Sequence, residues 1–212
     1  MFAPARRLAA ALLAAAVLAA PLAGPAAAAP NLANLSAEQR GTLDSINRYF
    51  ASVTTLEGKF IQTGPDGSTA EGYFVIDRPG KMRFRYEPPA PIDIIADGRT
   101  VAINDKRLKQ QTLVFLNDTP LRFLLTPNLD LTKEAVVQSV SVADDLITVM
   151  LEDPGTFQTG RLTLIFDGRT TELRQWTITD AQGLDTTVAV YDLQGGKATK
   201  PEWFKINFSL YK

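Results

Sequence analysis

The chain contains neither cysteine nor histidine among its 212 residues. Without histidine, the Ser-His-Asp and Cys-His catalytic arrangements are excluded, together with metal sites built on imidazole. Without cysteine, no disulfide can supplement the hydrophobic core, and no thioether can carry a lipid anchor. Enzyme chemistry is thereby limited to carboxylates, lysine, tyrosine or a serine with lysine, and we expect no cofactor and no metal.

The chain also lacks an excess of basic charge, with 22 Lys and Arg against 23 Asp and Glu. The first 29 residues hold Arg6 and Arg7 and no acidic residue, so the remainder has 22 − 2 = 20 basic residues and a net charge of 20 − 23 = −3. Nucleic-acid binders usually carry a marked basic excess. We therefore expect no nucleic-acid partner.

The first 29 residues have the pattern of a secretory signal peptide. Two arginines precede an apolar run over residues 8–22, and small residues follow as far as Ala29. This run is shorter than the roughly 20 residues that a membrane span needs. We expect cleavage between residues 26 and 29, export to the periplasm, and a single domain over residues 30–212.

The domain begins with one predicted helix and continues almost entirely as predicted strands. Ser36 and Gln39 form a capping box, and apolar residues at spacings of three and four predict a helix to about Val53. From Leu56 the apolar period changes to two, and turn signals such as Asp97-Gly98 separate short segments. These segments are centred on residues 56–63, 70–78, 82–87, 92–96, 99–104, 108–115, 136–142, 146–152, 161–166, 171–179 and 184–192.

Eleven strands with few helices predict a mainly β, α+β fold. Regular spacing between turn signals indicates hairpins, and hence an antiparallel meander. Open twisted sheets rarely exceed about ten strands, so the sheet should curl into a barrel or bend strongly. The segment 195–212 is predicted to be irregular, with one last edge strand.

One apolar interval, residues 118–134, breaks the series of strands. Thr119 can cap a short helix, Pro120 suits its first position, and Thr126-Pro127 would end it. Such an insert between two series of strands either plugs one end of the sheet or covers it as a mobile lid. The residue pattern leaves both open.

The hairpin over residues 72–89 carries four basic residues among large apolar ones. Side chains alternate faces along a strand, so the apolar rows of the two strands share a face only if the loop has an odd length. We predict the loop Pro79-Gly80-Lys81, with Arg78 opposite Met82. The side chains of Lys81, Arg83 and Arg85 then point outward, where they form either a solvated face or a docking surface.

Arg78 differs from the outward basic residues, because it is in phase with the apolar row. An inward arginine needs hydrogen-bond partners, and free helical carbonyls of the segment 119–127 could provide them. The alternative is a side chain that reaches water at the end of the strand. The pattern itself does not decide between these two environments.

Four motifs in order carry a family resemblance: LEGKFIQ (56–62), GYFVIDRPGKMRFRYEPP (72–89), IADGRTVAINDKRLKQQT (95–112) and DTPLRFLL (118–125). They resemble the periplasmic outer-membrane lipoprotein carriers, the LolA family. The resemblance implies an unclosed barrel of eleven strands with a helical lid over an apolar cavity. It further implies that the arginine of the R-P motif, Arg78, bonds the lid backbone and holds the empty form closed.

The resemblance also implies a transport cycle. The chain would take lipoproteins by their acyl chains from an ABC-type releasing complex of the inner membrane and deliver them to an outer-membrane acceptor, as a monomer. Lys81, Arg83 and Arg85 are candidates for docking a partner. The candidates for the cavity lining are Phe60, Phe74, Ile76, Met82, Phe84, Ile94, Val101, Ile103, Leu113, Leu121, Leu124, Trp176 and Ile178.

Two other functions are compatible with the sequence. One is a lipid- or lipoprotein-binding sensor of the envelope with the same fold and no transport role, whereas a lipoprotein acceptor is excluded by the lack of cysteine. The other is a hydrolase that uses a carboxylate pair such as Asp144 with Asp145, or Glu152 with Asp153. These pairs fall at predicted turns, where solvated carboxylates are usual, so we do not expect an enzyme.

Overall fold

The computed structural model describes residues 35–152 and 160–211. The predicted signal peptide and the turn at Asp153-Pro154-Gly155 lie outside the described residues. Helix α1 (Ala37–Ser52) begins at Ser36, whose hydroxyl accepts a hydrogen bond from the Gln39 amide at 3.1 Å. The Gln39 side chain accepts one from the Ser36 amide at 2.8 Å, which confirms the capping box.

All eleven predicted strands are present and form one antiparallel sheet. They are β1 (Thr55–Thr63), β2 (Thr69–Asp77), β3 (Lys81–Tyr86), β4 (Ile92–Asp97), β5 (Thr100–Asp105), β6 (Gln110–Phe115), β7 (Val136–Ala143), β8 (Leu146–Glu152), β9 (Arg161–Asp167), β10 (Leu173–Thr179) and β11 (Asp185–Gly195). Their order is β6-β5-β4-β3-β2-β1-β11-β10-β9-β8-β7. Because β6 and β7 remain at opposite ends of this order, the barrel is unclosed, as predicted.

The chain between the two edge strands is helical. It contains a 3₁₀ turn (Leu116–Asp118), helix α2 (Leu121–Leu125) and helix α3 (Leu131–Glu134). Helix α1 packs near β7, where Gln39 Nε2 donates to the Val140 carbonyl at 2.8 Å. The Asn47 side chain on α1 accepts a hydrogen bond from the Leu131 amide at 3.1 Å, which joins α1 to α3.

The core lies between the inner face of the sheet and these helices. Alternation along β2 and β3 buries every second side chain on the inner face. Helix α1 contributes Leu43, Ile46 and Phe50 to the same core, and the Phe50 ring meets Phe166 edge to face at 5.8 Å. A fully buried side chain of this size contributes about 1.5–3 kcal/mol through the hydrophobic effect.

Two predictions about irregular segments were wrong. The Thr119 side chain does not cap α2, because Pro120 takes the cap position and no side chain bonds the first amides of the helix. The Thr119 hydroxyl instead donates to the Leu116 carbonyl at 2.8 Å. The residues 196–211 contain no strand; they include a 3₁₀ turn (Pro201–Phe204) that packs against β3 and β4. The outward side chain of Ile95 on β4 is buried. The segment therefore covers an apolar outer face and does not extend an edge.

Within the described ranges, none of the helices combines the length and the apolar character required to cross a membrane.

Candidate functional site

Arg78 lies in the loop of the β2–β3 hairpin, where the inner face of the sheet meets the helices that cover it. The register of the hairpin pairs Phe74 with Phe84 and Ile76 with Met82, so the two apolar rows share one face. The loop has three residues, as predicted, but they are 78–80 and not 79–81. Strand pairing ends one residue earlier, at Asp77 and Lys81, because the left-handed conformation at Gly80 (φ +75°) closes the turn there.

Arg78 bonds the carboxyl ends of two helices. Its Nη1 donates to the carbonyls of Phe50 (2.8 Å) and Val53 (2.6 Å), at the end of α1. Its Nε donates to the Leu124 carbonyl of α2 at 2.8 Å. The next carbonyl, that of Leu125, accepts from the Gly80 amide at 3.0 Å. The loop thus supplies donors to carbonyls that have no partner within their own helices.

The guanidinium of Arg78 is held largely out of water. Burial lowers its pKa to about 10, so the group is still protonated at neutral pH. Its hydrogen bonds go to neutral carbonyls, and the Phe50 ring lies 4.9 Å from Cζ to the ring centre. Tyr49 is also close enough to interact with the charge. The carboxyl end of α1 carries partial negative charge and favours a cation there. Desolvation of the charge nevertheless opposes this arrangement.

Twelve of the thirteen lining candidates lie buried in one continuous core with the apolar residues of α1. Aromatic rings form its centre: Phe84 stacks on Phe74 at 5.3 Å and meets the Trp176 ring edge to face at 6.0 Å. Leu121 and Leu124 enter the core from α2. The buried candidates are Phe60, Phe74, Ile76, Met82, Phe84, Ile94, Val101, Ile103, Leu121, Leu124, Trp176 and Ile178.

Leu113 was wrongly assigned to the lining. It pairs with Ala102 on the outer face of β5, and 45% of its surface is exposed. The inward residue of this part of β6 is Val114, which pairs with Val101 and packs against the core. The sequence around Leu113 reads TLVF, so apolar residues stand on both faces and the alternation of β6 is ambiguous.

Polar side chains inside the core were missed from the sequence. The Tyr86 hydroxyl donates to Gln62 Oε1 at 2.6 Å, and burial raises the pKa of Tyr86. Gln62 alternates with Phe60 along β1, and Tyr86 alternates with Phe84 along β3, so both side chains fall on the inner face. This alternation would have predicted their burial. Trp176 Nε1 is buried and has no hydrogen-bond partner among the described residues.

The outward basic residues are not equivalent. Arg83 forms a two-point ion pair with the buried Asp93 (Nε–Oδ1 3.0 Å, Nη2–Oδ2 2.7 Å), and its Nη1 donates to the Trp203 carbonyl at 3.3 Å. Lys81 lies 3.9 Å from Asp77, and Arg85 is exposed. Arg83 and Arg85 line a groove of about 640 Å³. Arg83 therefore holds the C-terminal segment, whereas Arg85 and Lys81 are accessible.

The carboxylates considered for catalysis lie at turns or at the end of a strand. Asp144 and Asp145 lie exposed in the β7–β8 turn with left-handed backbones (φ 52° and 60°). Glu152 accepts a hydrogen bond from the Gln138 side chain at 2.6 Å, and its proposed partner Asp153 lies outside the described residues. In the part of the chain that the structure describes, no group of three acidic residues is placed to hold a metal ion.

Comparison with known proteins identifies the family. The model of the family described as "Outer membrane lipoprotein carrier protein LolA" matches residues 51–207, which is more than half of the chain. The chain belongs to the LolA family. This is a family of carriers, and its unclosed sheet of eleven strands is the fold seen here.

Several curated relatives are named outer-membrane lipoprotein carrier protein. The one from Ralstonia nicotianae is 31% identical over 184 residues, which cover 80% of this LolA-family chain and 85% of the relative. The one from Alkalilimnicola ehrlichii is 37% identical over 88 residues, but this match covers only 39% of the chain and 41% of that relative.

Among solved structures, a DUF1329 family protein from Desulfovibrio piger superposes with a TM-score of 0.51 at 10% identity. The superposition covers 78% of this chain and 96% of that one. At this identity the similarity shows a shared fold and nothing about function.

Proposed function

We propose that this chain is a periplasmic carrier that binds the acyl chains of lipoproteins and moves them from the inner to the outer membrane. The observation that carries the proposal is the contact of Arg78 with carbonyls at the ends of α1 and α2, two of the helices that cover the apolar inner face. Membership of the LolA family and the names of the curated relatives support it. The described chain contains the parts such a carrier needs: an apolar surface, a cover and a connection between them.

The apolar surface addresses the main energetic obstacle to transport. Transfer of an acyl chain into water costs about 0.8 kcal/mol per methylene, so an anchor of some forty methylenes meets a barrier on the order of 30 kcal/mol. The inner face of the sheet can shield such an anchor. In the closed form, however, residues such as Phe50 and Leu124 already cover that face. Acyl chains must therefore displace the protein's own helices.

This competition also provides for release. We assign to Arg78 the role of a switch that favours the closed form, because opening breaks its hydrogen bonds to α1 and α2. A ligand that must first shift this equilibrium binds more weakly by the same factor. The contacts of Arg78 thus lower the net affinity for cargo, and they make delivery to an acceptor possible.

The partners follow from the same cycle. An ABC-type complex in the inner membrane would load the carrier, and an acceptor at the outer membrane would unload it. Lys81 and Arg85 remain candidates for docking one of these partners, whereas Arg83 is occupied by Asp93 and the C-terminal segment. We further propose that residues 1–29 are removed on export, and that residues 30–212 act as a single-domain monomer.

A transfer experiment tests the function. The chain is expressed with its own N-terminus, recovered gently from the periplasm, and examined by native mass spectrometry. We expect bound lipoprotein or lipopeptide and an N-terminus between residues 27 and 30. The loaded protein is then incubated with outer-membrane vesicles, and lipoprotein should appear in the vesicles. Protein that binds lipid but delivers nothing would contradict transport and favour a sensor role.

A further inference from the structure

The indole nitrogen of Trp176 is the only buried side-chain nitrogen or oxygen without a hydrogen-bond partner within residues 35–152 and 160–211. The side chain is 1% exposed and lies on the inner face of β10. The other interior polar pair, Tyr86 and Gln62, is joined by a hydrogen bond of 2.6 Å. The interior therefore holds one unused donor.

An unused buried donor needs a physical reason. A polar group buried without a partner destabilises the folded state, because it loses its hydrogen bonds to water and gains none in return. The cross-strand neighbours of Trp176 are Leu164 and Val188, and its ring contacts Phe84. A buried water needs two to four polar partners, which these neighbours do not offer. A phenylalanine would fill an apolar core without this cost.

The position of Trp176 indicates what the donor can bind. Its strand is hydrogen-bonded on both sides, to β9 and β11, so it belongs to the fixed part of the sheet. The helices that cover the inner face are the parts that must move for cargo to enter. A ligand in the interior would therefore meet the Trp176 N–H at a fixed place on an otherwise apolar wall.

The chemistry of the donor narrows the ligand further. A pure hydrocarbon chain has no acceptor. An amide brings its own N–H group, which would need an acceptor, and the side chains of Leu164, Val188 and Phe84 around Trp176 offer none. An ester brings acceptors only. We propose that the Trp176 N–H donates a hydrogen bond to an ester carbonyl of a bound acyl anchor, and so selects ester-linked chains over alkyl chains. This inference rests on the proposed function and specifies its binding site.

The test compares two synthetic probes that differ in this acceptor alone. One is a lipopeptide whose cysteine sulfur carries a dipalmitoylglyceryl group, and the other carries the dihexadecyl ether of the same glyceryl group. Neither has an N-acyl chain. Binding to the full chain is measured by calorimetry for the wild type, for Trp176→Phe, and for Trp203→Phe as the matched control in the C-terminal segment.

We expect Trp176→Phe to weaken binding of the ester probe about fivefold and to leave binding of the ether probe unchanged. Loss of ring volume would weaken both probes equally, so the comparison isolates the hydrogen bond. Trp203→Phe should leave both affinities unchanged. It also leaves Trp176 as the single tryptophan. In that variant labelled with ¹⁵N-indole, the N–H resonance of Trp176 should move downfield with the ester probe only.

Two results would overturn the inference. Equal losses for both probes, or equal shifts of the resonance with both, would show that Trp176 has a packing role alone. If neither probe binds to the wild type, the proposed function fails, and the inference fails with it. That result is distinct from binding without discrimination between the probes.

Discussion

The Nε of Arg78 donates to the backbone carbonyl of Leu124 at 2.8 Å, although the two residues lie 46 positions apart in the chain. The same guanidinium donates to the carbonyls of Phe50 and Val53. One side chain on the loop between two strands thus bonds α1 and α2, two of the helices that cover the inner face. We expect its removal to affect the opening of the cover more than the stability of the sheet.

Replacement of Arg78 by leucine should give a folded protein that loads cargo and fails to deliver it. The variant loses three hydrogen bonds to the helices, so opening becomes easier and the acyl chains face a weaker competitor. Each 1.4 kcal/mol removed from the closed form raises the affinity for cargo about tenfold. Delivery of a lipopeptide to acceptor vesicles and the lipopeptide Kd measure both effects.

Arg78→Lys serves as the matched control, because it keeps the charge but lacks the planar group that reaches three carbonyls. We expect an intermediate affinity and slow delivery. Normal delivery by Arg78→Leu, with circular dichroism like that of the wild type, would contradict the role of Arg78 as a switch.

Phe84→Ala should destabilise the protein by about 3–5 kcal/mol, because the ring is buried between Phe60, Phe74 and Trp176. The exposed Leu113 provides the comparison, and its replacement by alanine should change the free energy of unfolding by less than about 0.5 kcal/mol. Urea denaturation measures both variants. Similar losses would mean that Leu113 packs inward after all.

Gly72→Ala should disturb the β2–β3 pairing. A Cβ at this position would lie 2.1 Å from the carbonyl oxygen of Arg85, a backbone atom that cannot move without the strand. We expect a loss of about 1–3 kcal/mol or more in the free energy of unfolding. Gly41→Ala on the exposed face of α1 meets no atom within 4 Å and should stabilise the helix by about 1 kcal/mol. Loss of stability in both variants would contradict this explanation.

Tyr86 should make the protein sensitive to alkaline pH. Burial raises its pKa in the folded state above the ordinary value of 10.0. Above pH 10 the unfolded chain releases this proton while the folded protein retains it, so stability falls as the pH rises. By pH 11, one unit above the ordinary value, the loss from this group is at most about 1.4 kcal/mol. Urea denaturation between pH 8 and 11 should show a shallower decline for Tyr86→Phe.

The half-exposed Tyr73 provides the control for this experiment. Tyr73→Phe leaves Tyr86 in place, and the alkaline decline should persist at its full size. An unchanged decline in Tyr86→Phe would show that other groups govern it.

Charge reversal at Lys81 and Arg85 should slow release of lipoprotein from inner-membrane vesicles without destabilising the fold. Both side chains are accessible, whereas reversal at Arg83 would leave the buried Asp93 without its ion pair. A double variant Lys81→Glu, Arg85→Glu is therefore preferred to a triple one. Arg40→Glu, on the exposed face of α1, is the control. Release at the wild-type rate by the double variant would exclude these residues from docking.

The number of strands, and the residues that share one face of the sheet, could be predicted because both depend on local chemistry. Alternation fixes which side chains share a face, and Gly80 or Asp97-Gly98 mark where the chain turns. These signals failed at Leu113, because apolar residues stand on both faces of that strand. At the hairpin loop the predicted length was right, but the predicted first residue was wrong. Thr119 failed for a different reason, because Pro120 takes the cap position and the Thr119 hydroxyl donates to the Leu116 carbonyl.

The sequence alone determined the class of fold and the absence of histidine and cysteine chemistry, since composition and periodicity need no long-range information. Only the tertiary structure decided what Arg78 binds, that Arg83 is occupied, and that Trp176 has a free donor among the described residues. Each of these depends on groups far apart in the chain, such as Leu124 for Arg78 and Trp203 for Arg83. Hydrogen bonding acts over about 3 Å, so only the folded chain can bring such partners together.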